Sequence, residues 1–167
     1  MATKAPKRTK DDLKRAKQNA LDLLKEDHQK VQKMFTAFSR LKEKGDPIDK
    51  ENLVEETCLE LLVHADLEEQ VFYPAVRKAI HDPELMNEAK VEHGETRELI
   101  AQIQEMEAAD ELYNAKVTVL GEYVVHHIRE EEDAMFPRIL QSRLDLDELG
   151  DRMLARKEAL LAEREAQ

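Results

Sequence analysis

The chain has 167 residues and a formal net charge of −11, from 37 acidic and 26 basic residues. This length suits a single domain. The absence of tryptophan and the low content of aromatic residues, glycine and proline argue against an all-β or α/β protein and favour amphipathic helices. The single cysteine excludes an intramolecular disulfide and a cysteine-based metal motif, so histidines and carboxylates are the metal ligands that the chain offers.

Charge and hydropathy also limit the partners. A negative whole-molecule field repels phosphates, so nucleic acid is not expected as the main partner. No apolar run approaches the roughly 20 residues that span a bilayer, and the start of the chain lacks the apolar middle of a signal peptide. We therefore expect a cytoplasmic protein without a membrane partner. The basic arm at residues 1–17 is expected to be a solvated tail, with contact to nucleic acid or an acidic partner as the alternative.

Apolar residues recur every three or four positions in four consecutive segments, which predicts four helices. The apolar stripes run from Leu21 to Phe38, from Leu53 to Ala75, from Met86 to Ile103 and from Val117 to Met135. Short connections favour an antiparallel up-down-up-down four-helix bundle over residues 18–141. A further amphipathic helix is predicted in residues 142–167. It is expected to pack on its own bundle, and a homodimer through this helix is the alternative.

A histidine lies in the middle of the apolar stripe of each of the four helices. These residues are His28, His64, His93 and His127. One such histidine is usually an ordinary core residue. Four of them at similar distances from the turns of an antiparallel bundle should meet at one level of the core. A metal-free bundle that buries them remains the alternative.

Two of these histidines belong to a duplicated block. His64 precedes Glu68 and His127 precedes Glu131 by four residues, and both blocks read His-x3-Glu-Glu-x3-aromatic-Pro with an offset of 63 residues. This spacing places the histidine and the glutamate on one helix face. Two copies of one helical hairpin suit a pair of metal ions. The prolines that close the blocks, Pro74 and Pro137, predict that each helix bends or ends just beyond the site.

The fourth helix offers a second pair with the same spacing, His126 and Glu130. Its face is more polar, and the register of the duplication matches His64 to His127, so we interpret His126 and Glu130 as an outer-layer or surface pair. Glu60 is a weaker candidate for the outer layer. The predicted metal ligands are therefore His28, His64, Glu68, His93, His127 and Glu131. Imidazoles with carboxylates suit iron or manganese, with zinc as a substitute.

The order of these residues on four successive helices resembles the hemerythrin-like HHE cation-binding domain family over about residues 18 to 140. The resemblance implies a non-haem di-iron centre, two iron ions bridged by carboxylates, that engages dioxygen, nitric oxide or peroxide in sensing or a stress response. An iron-handling or regulatory metal-sensing module, or low-level catalase or peroxidase activity, is the alternative.

One position departs from the pattern of the oxygen-carrying members of that family. They have a second histidine four residues after the one on the third helix, where this chain has Arg97. The missing imidazole leaves a position for water, for Glu92 or for Tyr123, although packing against a neighbouring helix is the preferred role of Tyr123. An open position favours redox turnover or sensing over simple oxygen carriage.

Overall fold

The computed structural model describes residues 18–167, so the predicted basic arm at residues 1–17 lies outside the described residues. The described part contains helices and no strand. The α-helices are α1 (Ala20–Leu41), α2 (Pro47–Leu67), α3 (Tyr73–Ile80), α4 (Pro83–Gln104), α5 (Tyr113–Arg129), α6 (Phe136–Leu140) and α7 (Leu146–Glu165). A π-helical turn, π1 (Glu68–Phe72), joins α2 to α3, and a second, π2 (Glu130–Met135), joins α5 to α6.

The four long rods of the bundle are thus α1, α2–π1–α3, α4 and α5–π2–α6. They confirm the predicted all-α, antiparallel bundle with an extra C-terminal helix. None of the described helices combines the length and the apolar character needed to cross a membrane.

Short polar side chains define where the helices begin. Asn19 caps α1 and forms a reciprocal capping box with Asp22. Asp46 and Asp82 are the N-cap residues of α2 and α4, and their side chains accept hydrogen bonds from backbone N–H groups of the first turn. A proline follows each of them and occupies the first turn of the helix. His81 is exposed and ends α3 with a φ of 48°, in the left-handed conformation that turns the chain directly into α4.

The apolar core consists of two clusters, one at each end of the bundle. The first contains Phe72, Phe136 and Met153, and the second contains Phe38 and Leu120. Between them lies a layer of buried polar side chains that interrupts the core of the bundle.

Helix α7 packs on the bundle to which it is connected. It contacts α1, α2 and π1, and its apolar residues Leu149, Met153 and Leu160 are buried. At Gly150 a Cβ atom would lie 2.9 Å from the backbone nitrogen of Ala20, so glycine permits the close approach of α7 to the start of α1. The apolar residues on which the homodimer alternative depends are therefore covered by their own chain.

Candidate metal centre

The polar layer between the two core clusters contains the six side chains predicted as metal ligands. They form two groups, His28 with His64 and Glu131, and His93 with His127 and Glu68, and within each group the ligand atoms lie within 4.8 Å of one another. The side chains of Glu68 and Glu131 are 0% and 1% exposed. The six side chains therefore lie at one level of the bundle.

The two glutamates lie between the groups and reach both. Glu68 Oε1 is 3.0 Å from His64 Nε2 in one group and 3.3 Å from His93 Nε2 in the other. Glu131 Oε1 is 2.8 Å from His127 Nε2 and 3.7 Å from His28 Nε2. Each carboxylate is therefore placed to bridge two cations, one in each group.

The hydrogen bonding of these side chains fits metal ligation. Among the described residues, the buried side-chain nitrogen and oxygen atoms without a hydrogen-bond partner are Nε2 of His28 and His64 and both carboxylate oxygens of Glu68 and Glu131. A buried polar atom without a partner costs about 1–3 kcal/mol, and an unpaired buried charge costs more. Cations held between these atoms would supply the missing partners, so the donor set fits a pair of metal ions.

A carboxylate lies behind every one of the four imidazoles. The Nδ1···O distances are 2.9 Å for His28 and Glu132, 3.0 Å for His64 and Asp27, 3.1 Å for His93 and Glu69, and 3.2 Å for His127 and Glu92. A metal-ligating histidine normally has such a partner on the ring nitrogen that faces away from the metal, because the partner fixes the tautomer and the ring orientation. All four rings are held with Nε2 toward the centre.

Sequence reasoning missed Asp27, Glu69 and Glu132 as partners, although the sequence carries a signal for them. The acidic residue just before the histidine of the first or third helix (Asp27 or Glu92) holds the ring on the following helix. The acidic residue just after each ligand glutamate (Glu69 or Glu132) holds a ring on another helix. Glu92 therefore orients His127. It does not fill the ligand position that is left open because this chain has Arg97 in place of a second histidine.

Charge pairing sets the protonation of the centre in the absence of metal. Burial alone raises the pKa of Glu68, but the positive charge of the nearby His64 outweighs burial and holds this pKa well below its usual value. Burial lowers the pKa of His64, and the opposing effects of Glu68 and Asp27 raise it to about 10. Burial also lowers the pKa of His127, but the negative charge of Glu131 outweighs burial and holds this pKa well above its usual value. Without metal, these shifts favour the ionised form of Glu68 and the protonated forms of His64 and His127.

A tyrosine lies at the centre, but it is Tyr73 and not Tyr123. The side chain of Tyr123 is 44% exposed, so the hypothesis that it fills the open position is wrong. The Tyr73 hydroxyl is buried 3.2 Å from His127 Nε2 and 3.4 Å from His93 Nε2. Tyr73 is the aromatic residue of the first duplicated block, and its counterpart in the second block is Phe136, which stacks on His28. The phenol hydroxyl therefore lies beside only one of the two groups, the one that contains His93 and His127.

The remaining candidates lie farther out. Arg97 forms ion pairs of 2.7 Å with Asp66 and with Glu69, the carboxylate behind His93, so it supports the centre from outside. His126 is 66% exposed and forms a surface group with Glu92 and Glu130. Glu60 pairs with Lys30, which is half exposed, and so does not belong to the outer layer of the centre.

A π turn, which the sequence did not predict, precedes each of the duplicated prolines. The helix continues through this turn, which begins at or next to the ligand glutamate. The backbone N–H of Tyr73 donates to the carbonyl of Glu68, and that of Phe136 donates to the carbonyl of Glu131, five residues earlier in both cases. Single π turns of this kind occur mainly at functional sites.

A small cavity of about 30 Å³ adjoins the centre on the side of the second core cluster. All four imidazoles line it together with apolar side chains, among them Val31, Leu61 and Val124. This volume exceeds the roughly 10–15 Å³ that a cavity needs to hold one water molecule.

The fold and this arrangement of buried histidines and glutamates define a cation-binding helical bundle. The chain belongs to the hemerythrin HHE cation-binding domain family, whose model matches residues 19–139. The resemblance derived from the sequence is thereby confirmed.

The chain is also similar to a protein of known sequence and to a protein of known structure. A protein of Nostoc sp. named DNA nickase is 30% identical over 121 residues, which cover 72% of this chain and 33% of the relative. The chain thus spans about a third of that relative. A crystal structure of a hemerythrin HHE cation-binding domain-containing protein from Mycobacterium kansasii superimposes with a TM-score of 0.72 at 24% identity, over 86% of this chain and 87% of the other, and supports the fold.

Proposed function

We propose that this protein binds two iron ions and that the di-iron centre engages dioxygen, nitric oxide or peroxide in sensing or a stress response. The observation that carries the proposal is the pair of fully buried glutamates. Each reaches histidines of both groups, and no hydrogen bond satisfies their oxygens. Bridging cations would neutralise these charges inside an otherwise apolar core.

The residues of the two groups would hold one ion each. His28, His64 and Glu131 would hold the first, and Glu68, His93 and His127 the second, with both glutamates shared. Iron supplies one-electron redox chemistry and positions for a small ligand when it is bound. Manganese or zinc would substitute, because affinity alone discriminates poorly among metals for such a donor set.

The cavity beside the imidazoles favours a small ligand. A cavity of about 30 Å³, lined by the four imidazoles and by valine, leucine and isoleucine side chains, has room for a molecule of two or three atoms. Dioxygen and nitric oxide are molecules of this size.

Peroxide decomposition is the second candidate activity, and Tyr73 favours it. Its hydroxyl lies beside His93 and His127 and holds a proton there, because burial and the nearby charges of Glu131 and Glu68 raise the pKa of Tyr73 well above its usual value. The protonated hydroxyl can donate a hydrogen bond to peroxide beside the two imidazoles.

The proposal includes a cytoplasmic location and a small molecule, in place of nucleic acid, as the main partner. A formal charge of −11 opposes binding to phosphate backbones. The activity named for the Nostoc relative belongs to a protein about three times as long as the matched region.

Elemental analysis of protein purified from iron-replete cells tests the proposal. We expect about two iron ions per chain, and fewer in a His64→Ala variant. His126→Ala is the matched control, since His126 also precedes a glutamate by four residues but is 66% exposed. It should keep both ions. Absorption spectra recorded with nitric oxide and with peroxide should change for the iron-loaded wild type. Wild-type protein without iron, or equal iron in His64→Ala and wild type, would overturn the proposal.

A further inference from the structure

The C-terminal helix contacts the metal centre through a two-residue chain. Lys157 of α7 donates a hydrogen bond from Nζ to Asp27 Oδ1. The second oxygen of the same carboxylate, Oδ2, lies 3.0 Å from His64 Nδ1. Lys157 lies outside residues 19–139, the region that the family model matches.

Asp27 differs from the other three carboxylates behind the imidazoles. Its side chain is 8% exposed, whereas those of Glu92, Glu132 and Glu69 are 20%, 34% and 37% exposed. A carboxylate as buried as Asp27 depends on hydrogen bonds and positive partners within the protein. Its partners are His64 and Lys157, and the side chain of Lys157 is 22% exposed.

Helix α7 is held firmly enough to place Lys157. Its apolar residues are buried against α1, α2 and π1. On either side of Lys157, Arg156 donates to Gln70 Oε1 at 2.8 Å, and Arg164 pairs with Asp66 at 2.8 Å. The ammonium group of Lys157 therefore approaches Asp27 from a fixed helix, which restricts the carboxylate to one orientation.

The two metal groups receive different support. The carboxylate behind His93 in the second group, Glu69, is held by Arg97 of α4. The carboxylate behind His64 in the first group is held by α7. A change confined to Lys157 therefore acts on the first group.

We propose that Lys157 is a positioning residue of the metal centre, which orients His64 through Asp27 and so retains the ion held by His28, His64 and Glu131. This inference rests on the proposed function, since it presupposes that the two groups bind metal. Loss of an outer-layer partner of a metal-ligating histidine typically lowers metal affinity 10- to 100-fold. Because Lys157 acts through Asp27, we expect the lower end of that range, about tenfold.

The test measures how fast each of the two ions leaves. Anaerobic protein loaded with Fe²⁺ is mixed with an excess of a coloured ferrous chelator, and the absorbance is followed over time. Lys157→Met keeps the aliphatic stem and removes the charge. We expect it to release one ion about tenfold faster than wild type and the other at the wild-type rate, whereas Lys157→Arg should restore slow release. Arg152→Met, on the same helix but exposed and paired with Glu148, should behave as wild type.

A double-mutant cycle identifies Asp27 as the intermediary. In an Asp27→Asn background, Lys157→Met should have no further effect on either rate, because the contact that it removes is already gone. Circular dichroism of each variant verifies that the helical content of the protein is unchanged. Release of both ions at wild-type rates, equal acceleration of both ions, or additive effects of the two substitutions would overturn the inference while leaving the proposed function intact. Wild-type protein that takes up no pair of ions would instead refute the proposed function.

Discussion

Replacing Glu68 by glutamine isolates the central assumption, that a bridging carboxylate holds both ions. Glutamine has nearly the same volume as glutamate, so the packing is preserved while one negative charge is lost. Glu68 Oε1 lies 3.0 Å from His64 Nε2 and 3.3 Å from His93 Nε2, so the substitution removes a ligand from both groups at once. We expect Glu68→Gln to lose affinity for both ions.

Linkage between metal binding and folding gives the magnitude. At a free metal concentration 100 times the dissociation constant, one site stabilises the folded state by about 2.7 kcal/mol, so two sites contribute about 5 kcal/mol. For a chain of this length that corresponds to an increase in melting temperature of about 10–20 °C. A 100-fold loss of affinity leaves about 0.4 kcal/mol per site, or about 2–3 °C in total.

Thermal unfolding with and without metal measures this difference. Zn²⁺ is a suitable probe because it does not change oxidation state. Glu130→Gln is the matched control. Glu130 follows His126 by four residues as Glu68 follows His64, but its side chain is 35% exposed. We expect the control to show the full wild-type shift. A full shift in Glu68→Gln, or none in the wild type, would refute the reasoning.

Three further predictions concern other parts of the centre and the core. In the metal-free protein the pKa of His64 is about 10, against an ordinary value of 6.5, because Glu68 and Asp27 outweigh the effect of burial. The stability that His64 contributes is thus complete below pH 6.5 and is lost as the pH rises toward 10. Urea titrations of chelator-treated protein should detect this loss. Metal affinity should rise over the same range, since the imidazole must lose its proton to bind a metal ion. Stability that is flat or increasing across this range would contradict the prediction. The Tyr73→Phe variant should release one of the two ions about fivefold faster than wild type, as expected for the loss of a hydrogen bond of about 1 kcal/mol. Equal release rates in the variant and the wild type would exclude a role for the Tyr73 hydroxyl in holding that ion. Burial raises the pKa of the Cys58 thiol to about 11, so its alkylation at pH 8 should be at least about 100-fold slower in native than in urea-unfolded protein, as measured by mass spectrometry.

The positions of the predicted ligands follow from periodicity and loop length. A histidine in the middle of an apolar stripe must face the core, and short connections in an antiparallel bundle fix its height. The direction and height of each histidine therefore do not depend on which side chains surround it. The level of the centre was therefore predictable, whereas the partners on Nδ1 depend on contacts between helices, which a pattern on a single helix does not encode.

The alternative in which Tyr123 fills the open position fails for a reason that the helix geometry explains. Residues four apart differ by about 40° around an α-helix, because each residue advances by about 100°. His127 already lies toward the edge of the buried face that Leu120, Val124 and Ile128 form on α5, and its side chain is 12% exposed. One turn earlier, the same drift carries Tyr123 out of the core and into solvent, where it is 44% exposed.

The π turn explains why α-helical periodicity does not predict Tyr73 at the centre. In an unbroken α-helix, Tyr73 would lie about 140° from Glu68, since five residues advance by about 500°. The π turn lets the N–H of Tyr73 pair with the carbonyl of Glu68, so Tyr73 follows Glu68 on one face. A proline one residue later removes an α-helical donor and favours this wider turn. The duplicated proline therefore aims an aromatic residue at the centre: a phenol at Tyr73, beside His93, and a ring without a hydroxyl at Phe136, beside His28. Lys157 contacts the carboxylate behind His64 in the opposite group, so the two groups of the duplicated bundle have unequal surroundings.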